Sequence, residues 1–315
     1  MKREFVCWVA AAILLSSINR PLHADDREPI PGIGPVGKVE KVRGDFQFTE
    51  GPAWDGAGNL YFSDIPANRI YRLDNKGEIS VFLEPSGHTN GLMCRGKGTI
   101  VACQMDGQIV EIDVATKKIT PIAAEYQGKR FNAPNDLVFD QHGGVYFTDP
   151  RFRAPEPWPQ GKEAFYYASA DGKVTRLGDD LPAPNGVILS PDEKTLYVIP
   201  SMQKKMMAYD VLGPGKLSDG RVFCELKQPA GSPEGPGGGG DGLAIDTKGN
   251  LYITSRLGIQ VFNPEGSLLG IIEFPEQPAN VTFGGEDLKT LYVTARTGLY
   301  SAKMAAQGHV FPGAK

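Results

Sequence analysis

The sequence predicts an all-β protein, a six-bladed β-propeller with four-stranded blades. Three observations predict it. One short pattern recurs six times along the chain at intervals of about 40–50 residues, the spacing of a propeller blade. Every copy pairs two apolar, β-rich runs across a turn built from Asp, Gly or Lys. After residue 24 no stretch carries a sustained helical period.

The copies follow in order. Glu50-Gly51-Pro52-Ala53-Trp54-Asp55 leads to Gly58-Asn59-Leu60-Tyr61-Phe62, and a weaker copy opens at Asn90-Gly91-Leu92. Asn135-Asp136-Leu137-Val138-Phe139-Asp140 leads to Gly144-Val145-Tyr146-Phe147. Asn185-Gly186-Val187-Ile188-Leu189 leads to Leu196-Tyr197-Val198. Asp241-Gly242-Leu243-Ala244-Ile245-Asp246 leads to Leu251-Tyr252-Ile253, and a weak sixth copy opens at Asn280-Val281-Thr282-Phe283. Further short strands complete each unit. The stretch from Val39 to Phe48 precedes the first copy, so it is expected to supply the outer strand of the last blade and close the ring. The propeller is expected over residues 39–306, with an N-terminal extension at 25–38 and a C-terminal tail at 307–315. The Pro-rich insertion at 151–162 reads as an ordered loop or lid on blade three.

The first residue of each copy is a carboxylate or a carboxamide: Glu50, Asn90, Asn135, Asn185, Asp241 and Asn280. The first strand of a propeller blade lines the central channel, so these side chains are expected to converge at one height. Oxygen donors of this kind suit a hard divalent cation, which makes this a metal-binding channel. Calcium takes 6–8 oxygen ligands and tolerates amide carbonyls, whereas Mg²⁺ demands tighter octahedral geometry. Mn²⁺ or Zn²⁺ could substitute, because affinity alone does not select the metal. Turn formation is the plain alternative for any single Asn or Asp.

Composition narrows the classes. The chain of 315 residues has a formal net charge of −4 and no basic cluster, which argues against nucleic acid as a partner. Residues 1–24 read as a secretory signal, with Lys2 and Arg3 before the apolar stretch 5–15 and cleavage expected after Ala24 of Pro21-Leu22-His23-Ala24. An exported, periplasmic or secreted protein without a membrane span after cleavage is expected. Cys94, Cys103 and Cys224 then remain, as buried thiols or with Cys94 and Cys103 bridged. Few histidines and no C-x-x-C spacing argue against an ordinary zinc site. Gly235, Gly237 and Gly240 match G-x-G-x-x-G, but a dinucleotide loop must open a helix and this run opens a strand.

The segments Glu50-Gly51-Pro52, Asn132-Ala133-Pro134-Asn135-Asp136-Leu137, Pro184-Asn185-Gly186-Val187 and Asp241-Gly242-Leu243 together resemble the gluconolactonase/regucalcin (senescence marker protein) family. The resemblance covers roughly residues 45–302 and extends more distantly to diisopropyl fluorophosphatase and paraoxonase. It implies one divalent metal at the top of the channel, held by Glu50, Asn185 and Asp241, with Asn135 on the metal or the substrate. It implies hydrolysis of a cyclic ester, typically an aldonolactone such as gluconolactone. Animal members place an Arg two residues before the Asn of that segment; here the position is Ala133, and the nearest Arg is Arg130.

The expected chemistry is attack of a metal-activated water on the lactone carbonyl. Asp241 is the candidate acid/base group, as a ligand or beside the metal. Asn135, Asn90, His88, Arg256 and Arg130 are the candidate substrate contacts. Arg256 and Arg296 occupy the matching turns Thr254-Ser255-Arg256-Leu257-Gly258 and Thr294-Ala295-Arg296-Thr297-Gly298. Asp64 and Asp149 read as capping residues, and His142 has no assigned role. A small-molecule lactone is the expected partner, with no obligate protein partner. The competing readings are a non-catalytic metal-containing binding propeller and a phosphotriesterase- or arylesterase-like hydrolase using the same site.

Overall fold

A computed structural model describes residues 30–96, 98–232 and 237–311. Residues 1–24, expected to be a signal, lie outside the described residues. Six antiparallel sheets succeed one another along the chain. Blade one runs Thr49–Trp54, Leu60–Asp64, Arg69–Leu73 and Ile79–Leu83, and blade two follows from Thr89–Arg95 to Ile119–Ala123. Blade three spans Leu137–Phe139 to Val174–Gly178, and blade four spans Pro184–Leu189 to Arg221–Glu225. Blade five runs from Leu243–Ile245 to Leu268–Ile272. Blade six takes Asn280–Gly284, Thr290–Ala295 and Gly298–Lys303 from the end of the chain and Glu40–Arg43 from its beginning, with Glu40 opposite Ser301. The expected closure of the ring by the N-terminal strand is thus present.

The turns explain the repeated Asp-x-x-Gly. Asp55, Asp140 and Asp246 each accept the backbone N–H groups two and four residues on, at 2.7–2.9 Å. A short carboxylate that bonds its own backbone fixes the turn between the first two strands of the blade. Second strands are wholly buried, as in Leu60–Asp64, Val145–Asp149 and Leu251–Ser255. The core therefore lies between blades, where Phe62, Phe147 and Tyr252 are almost completely covered.

Hydroxyls on those second strands stitch each blade to the next. Ser63 Oγ donates to the Asn90 carbonyl at 2.8 Å, Thr148 Oγ1 to the Asn185 carbonyl at 2.6 Å, and Thr254 Oγ1 to the Ala279 carbonyl at 2.9 Å. Backbone bonds continue the ring near the axis: Gly91 N donates to the Asn135 carbonyl at 2.7 Å and Gly186 N to the Asp241 carbonyl at 3.0 Å. A Cβ on Gly91 would stand 2.6 Å from that carbonyl oxygen, so the glycine is what lets neighbouring blades close up here.

Two terminal segments are more integrated than expected. Residues 30–38 pack on the ring: Ile33 is buried, and its carbonyl accepts the Ala305 N–H at 3.0 Å. Residues 307–311 run under the channel rather than away from it. His309 N donates to the Ile245 carbonyl at 3.0 Å, and Phe311 is buried among Val138, Ile188 and Ile245.

Candidate active site at the upper mouth of the channel

The polar residue of each repeat falls where the ladder between the first and second strands breaks. Register shifts separate Glu50 from Ala53, Thr89 from Leu92 and Pro184 from Val187. In blades three and five pairing starts only at Leu137 and Leu243, one or two residues past Asn135-Asp136 and Asp241-Gly242. A broken ladder re-aims the side chain. Glu50, Asn90, Asn135, Asn185 and Asp241 accordingly line one cavity of 620 Å³ at the upper mouth, and all but Asp241 are nearly fully buried. Blade six breaks the pattern. Asn280 pairs in regular register with Thr294, and its side chain lies one layer below the cavity. Five of the six expected ring members converge, not six.

The layer beneath contains Asp136, which the repeat pattern does not single out. Asp136 stands where blades one, two, four and five carry glycine, and its carboxylate accepts the Leu137 N–H at 2.9 Å. Asn280 Oδ1 accepts the Val281 N–H at 2.8 Å, and the amide of Asn280 supports the carboxyls of both Glu50 and Asp136. A polar residue in a glycine slot of the repeat was the signal available for finding Asp136.

Burial governs the electrostatics of these acids, since it penalises the ionised form. Burial, then the nearby Asp241 charge, pushes Glu50 well above the usual carboxylate range. Burial pushes Asp241 up to about 6, against the Asn185 amide and the Arg296 charge, which pull it down. Asp136 is raised to about 7 by burial, against amide N–H groups of Leu137 and Val187. Neither Glu50 nor Asp241 forms a salt bridge with a described residue. Asn90 Oδ1 is buried at the same mouth without a hydrogen-bond partner. Among the described residues no cluster of three or more His, Cys, Asp or Glu side chains is disposed to hold a metal, so any ligand set here must use amide oxygens. Two carboxylates lining one cavity with no salt bridge, beside an orphaned amide oxygen, fit a hard cation.

The rim is basic. Arg153, Arg256 and Arg296 line the cavity, with Ser201, Ser255 and Gln277 between them. Arg153 comes from the insertion at 151–162, which is ordered as expected: Arg151 bridges Glu163 at 2.8 Å, and Gln160 Nε2 donates to the carbonyls of Tyr126, Lys129 and Arg130. Residues 237–240 form one wall. A Cβ on Gly240 would meet the Thr254 carbonyl at 2.8 Å, so the glycines press the backbone against blade five.

Two expected substrate contacts are not brought to the cavity. His88 turns its Nδ1 to Asp106 at 3.0 Å. Arg130 spends its guanidinium on the backbone carbonyls of Phe131 and Met105, at 3.1 and 3.4 Å. Sequence proximity to Asn90 and Asn135 did not carry side-chain direction. Asp64 and Asp149 cap as expected, accepting the Gln47 and Phe48, and the Asn132 and Ala133, N–H groups. Cys94, Cys103 and Cys224 are free, buried thiols.

A closed six-bladed ring with buried acids and amides at one mouth, under a ring of arginines, defines a propeller with an axial small-molecule site. The chain belongs to the SMP-30/gluconolactonase/LRE-like family, whose profile matches residues 48–297. It is 34% identical over 280 residues to a gluconolactonase of Zymomonas mobilis, covering 82% of this chain and 78% of that one. It is 27% identical over 298 residues to the diisopropyl-fluorophosphatase of Loligo vulgaris, covering 84% and 90%. A solved gluconolactonase of Xanthomonas campestris superposes with a TM-score of 0.76 at 30% identity, covering 85% of this chain and 89% of that one.

Proposed function

We propose that this chain is a lactone hydrolase that opens a cyclic ester of the aldonolactone class at the upper mouth, with a divalent cation, Ca²⁺ first, held there. The observation that carries the reading is the pair of carboxylates at the mouth, buried Glu50 and partly exposed Asp241, neither of them in a salt bridge, beside the orphaned Asn90 oxygen. Glu50, Asn185 and Asp241 would hold the cation, with Asn135 as a further oxygen donor. A cation so bound supplies Lewis acidity toward the lactone carbonyl and lowers the pKa of water.

The chain's own residues do the rest. Asn185 donates its amide to Asp241 and fixes the orientation of that carboxylate. Asn280 supports the carboxyls of Glu50 and Asp136 from below, so the floor is preorganised before substrate enters. As the acid/base group, Asp241 would take a proton from the attacking water and return it to the ring oxygen as the ester opens. The Ser201 hydroxyl, whose proton goes to the Gly240 carbonyl, can accept from a sugar hydroxyl, and the Gln277 amide can donate to one, whereas the Ser255 hydroxyl is used by Gly258, Leu257 and Gln260.

The test is hydrolysis of gluconolactone and related aldonolactones, followed by acid release, before and after chelation. Activity that disappears on chelation and returns with Ca²⁺ is the expected result. Full activity of the chelated protein would overturn the metal, and no turnover of any lactone would overturn the enzyme. A phosphotriester belongs in the same panel because of the diisopropyl-fluorophosphatase relative. Asp241→Asn with full metal content and retained turnover would remove the acid/base role. The reading includes export, on the strength of residues 1–24. N-terminal sequencing of the natural product should begin near Asp25, and a retained Met1 would refute it.

A further inference from the structure

We propose that the substrate is an anionic lactone, one that bears a free carboxylate or phosphate at a distance from the ester. The inference rests on the lactone-hydrolase reading above and narrows its substrate class. It comes from how the arginines are partitioned. Arg43, Arg69, Arg95, Arg151, Arg176 and Arg221 each pair with a carboxylate. Arg153, Arg256 and Arg296, the three that line the mouth, pair with none among the described residues.

These three arrive from separate parts of the fold. Arg153 is carried by the blade-three insertion, and Arg256 and Arg296 by the turns after the second strands of blades five and six. Arg296 is held by neutral groups only. Its Nη2 donates to Gln277 Oε1 at 2.9 Å and its guanidinium lies 5.4 Å from the centre of the Phe48 ring, so its fork is bound by no carboxylate, although its charge is felt at Asp241. The loop that presents Arg153 is anchored at both ends, by the Arg151–Glu163 bridge and by Gln160. Among the described residues Arg72 and Arg130, away from the mouth, also lack a carboxylate partner, so three of five such arginines gather at one opening in a chain with 37 acidic against 33 basic residues.

A neutral sugar lactone needs hydroxyl partners, and Ser201 as acceptor and the Gln277 amide as donor already supply them. Unpaired guanidinium forks add something else, recognition of a carboxylate or phosphate through paired, charge-assisted hydrogen bonds. The acids lie at the floor and the arginines at the rim. An anionic substituent would therefore be drawn to the rim and kept off the floor, which turns the ester toward Asp241. The same layout gives long-range attraction that salt screens.

The experiment compares kcat/KM for three lactones of one ring size: a neutral aldonolactone, an aldarolactone with a free carboxylate, and a 6-phosphorylated aldonolactone. At least one anionic lactone should exceed the neutral one by about tenfold or more, the scale of a charge-assisted hydrogen bond. Its KM should rise with salt while the neutral KM does not. In Arg153→Gln with Arg256→Gln, both exposed rim positions, the anionic-to-neutral ratio should fall toward one. Which arm wins separates carboxylate from phosphate. Equal kcat/KM across the three, or a ratio unchanged in the double variant, overturns the proposal. If no lactone is opened, the enzyme reading fails and this one is still decided by calorimetry with ring-opened acids. Tighter binding of the aldarate dianion than of the aldonate monoanion, lost in the double variant, supports it; equal binding overturns it.

Discussion

Along the first strand of blade four, Asn185 faces the upper mouth and Ile188, three residues on, faces the lower one. Blade five repeats the change from Asp241 to Ala244. The lower cavity, 500 Å³, is lined by Val138, Ile188, Ile245 and Phe283, and Phe311 of the terminal segment closes on it. The same strands thus build a charged mouth and a base whose lining is mainly apolar, with Asp136 and Asn280 at its top. The difference lies in the ladder. Strand pairing is regular below and broken above, so apolar side chains pack at one end while polar ones are freed at the other. Binding has been given to the end where pairing was surrendered, and cohesion to the end where it was kept.

Glu50→Gln at the upper end should break the comparison hardest. Lactone hydrolysis should fall by about 10²-fold or more, in line with the loss of one key electrostatic group. The metal-free variant should nevertheless be more stable than the parent at pH 8, because a buried charge has been removed. Loss of activity with a lower denaturation midpoint at that pH would mean that Glu50 serves the fold instead. At the lower end Phe311→Ala should do the reverse. It should cost about 3 kcal/mol in urea denaturation, as a large buried side chain does, while kcat/KM per folded molecule stays within about twofold.

The pH dependence of the metal-free protein sharpens the contrast. Folding raises Asp241 from 3.8 to about 6, and Asp136 and Asp149 from 3.8 to about 7, all mainly by burial. Glu50 moves in the same direction. The folded state then binds more protons than the unfolded state between about pH 5 and 7, above the range in which Glu276 and the other acids lowered by folding titrate, so stability falls as pH rises through that window. Each tenfold gain in a carboxyl's proton affinity on folding is worth about 1.4 kcal/mol of that fall. Denaturant midpoints measured from pH 5 to 8 should decline, and added Ca²⁺ should flatten the decline. A rise would contradict it. The smallest effect is expected from Gln160→Ala, which loosens the insertion that carries Arg153. KM should increase by about threefold with kcat unchanged, the worth of a few hydrogen bonds far from the reacting ester.

Much of this is legible from the chain alone. Strand period and turn chemistry are local, so six copies of one pattern reveal six blades and their N-terminal closure. The polar first residues point to the floor because the repeat itself marks the axis. What stays hidden depends on register and on contacts across blades. Asn280 looks like its five counterparts in sequence, but unbroken pairing with Thr294 lowers it beneath the cavity. Asp136 escapes notice because the residue beside it carries the pattern. Arg153 sits in an insertion, where no repeat guides the eye, and the reach of His88 toward Asp106 is a matter of side-chain direction. Residues 307–311 have no periodicity to betray that they seal the base.

The pairing of Glu40 with Ser301 bears on the timing of folding. The earliest strand of the propeller to be synthesised is among the last to find its partner, since that partner is made at the far end of the chain. Five blades can form hairpin by hairpin as the chain lengthens, but the sixth waits for both ends. Contacts so distant in sequence make closure a slow, late event. A polypeptide interrupted before Gly298 would hold five finished sheets around an axis that never becomes a channel.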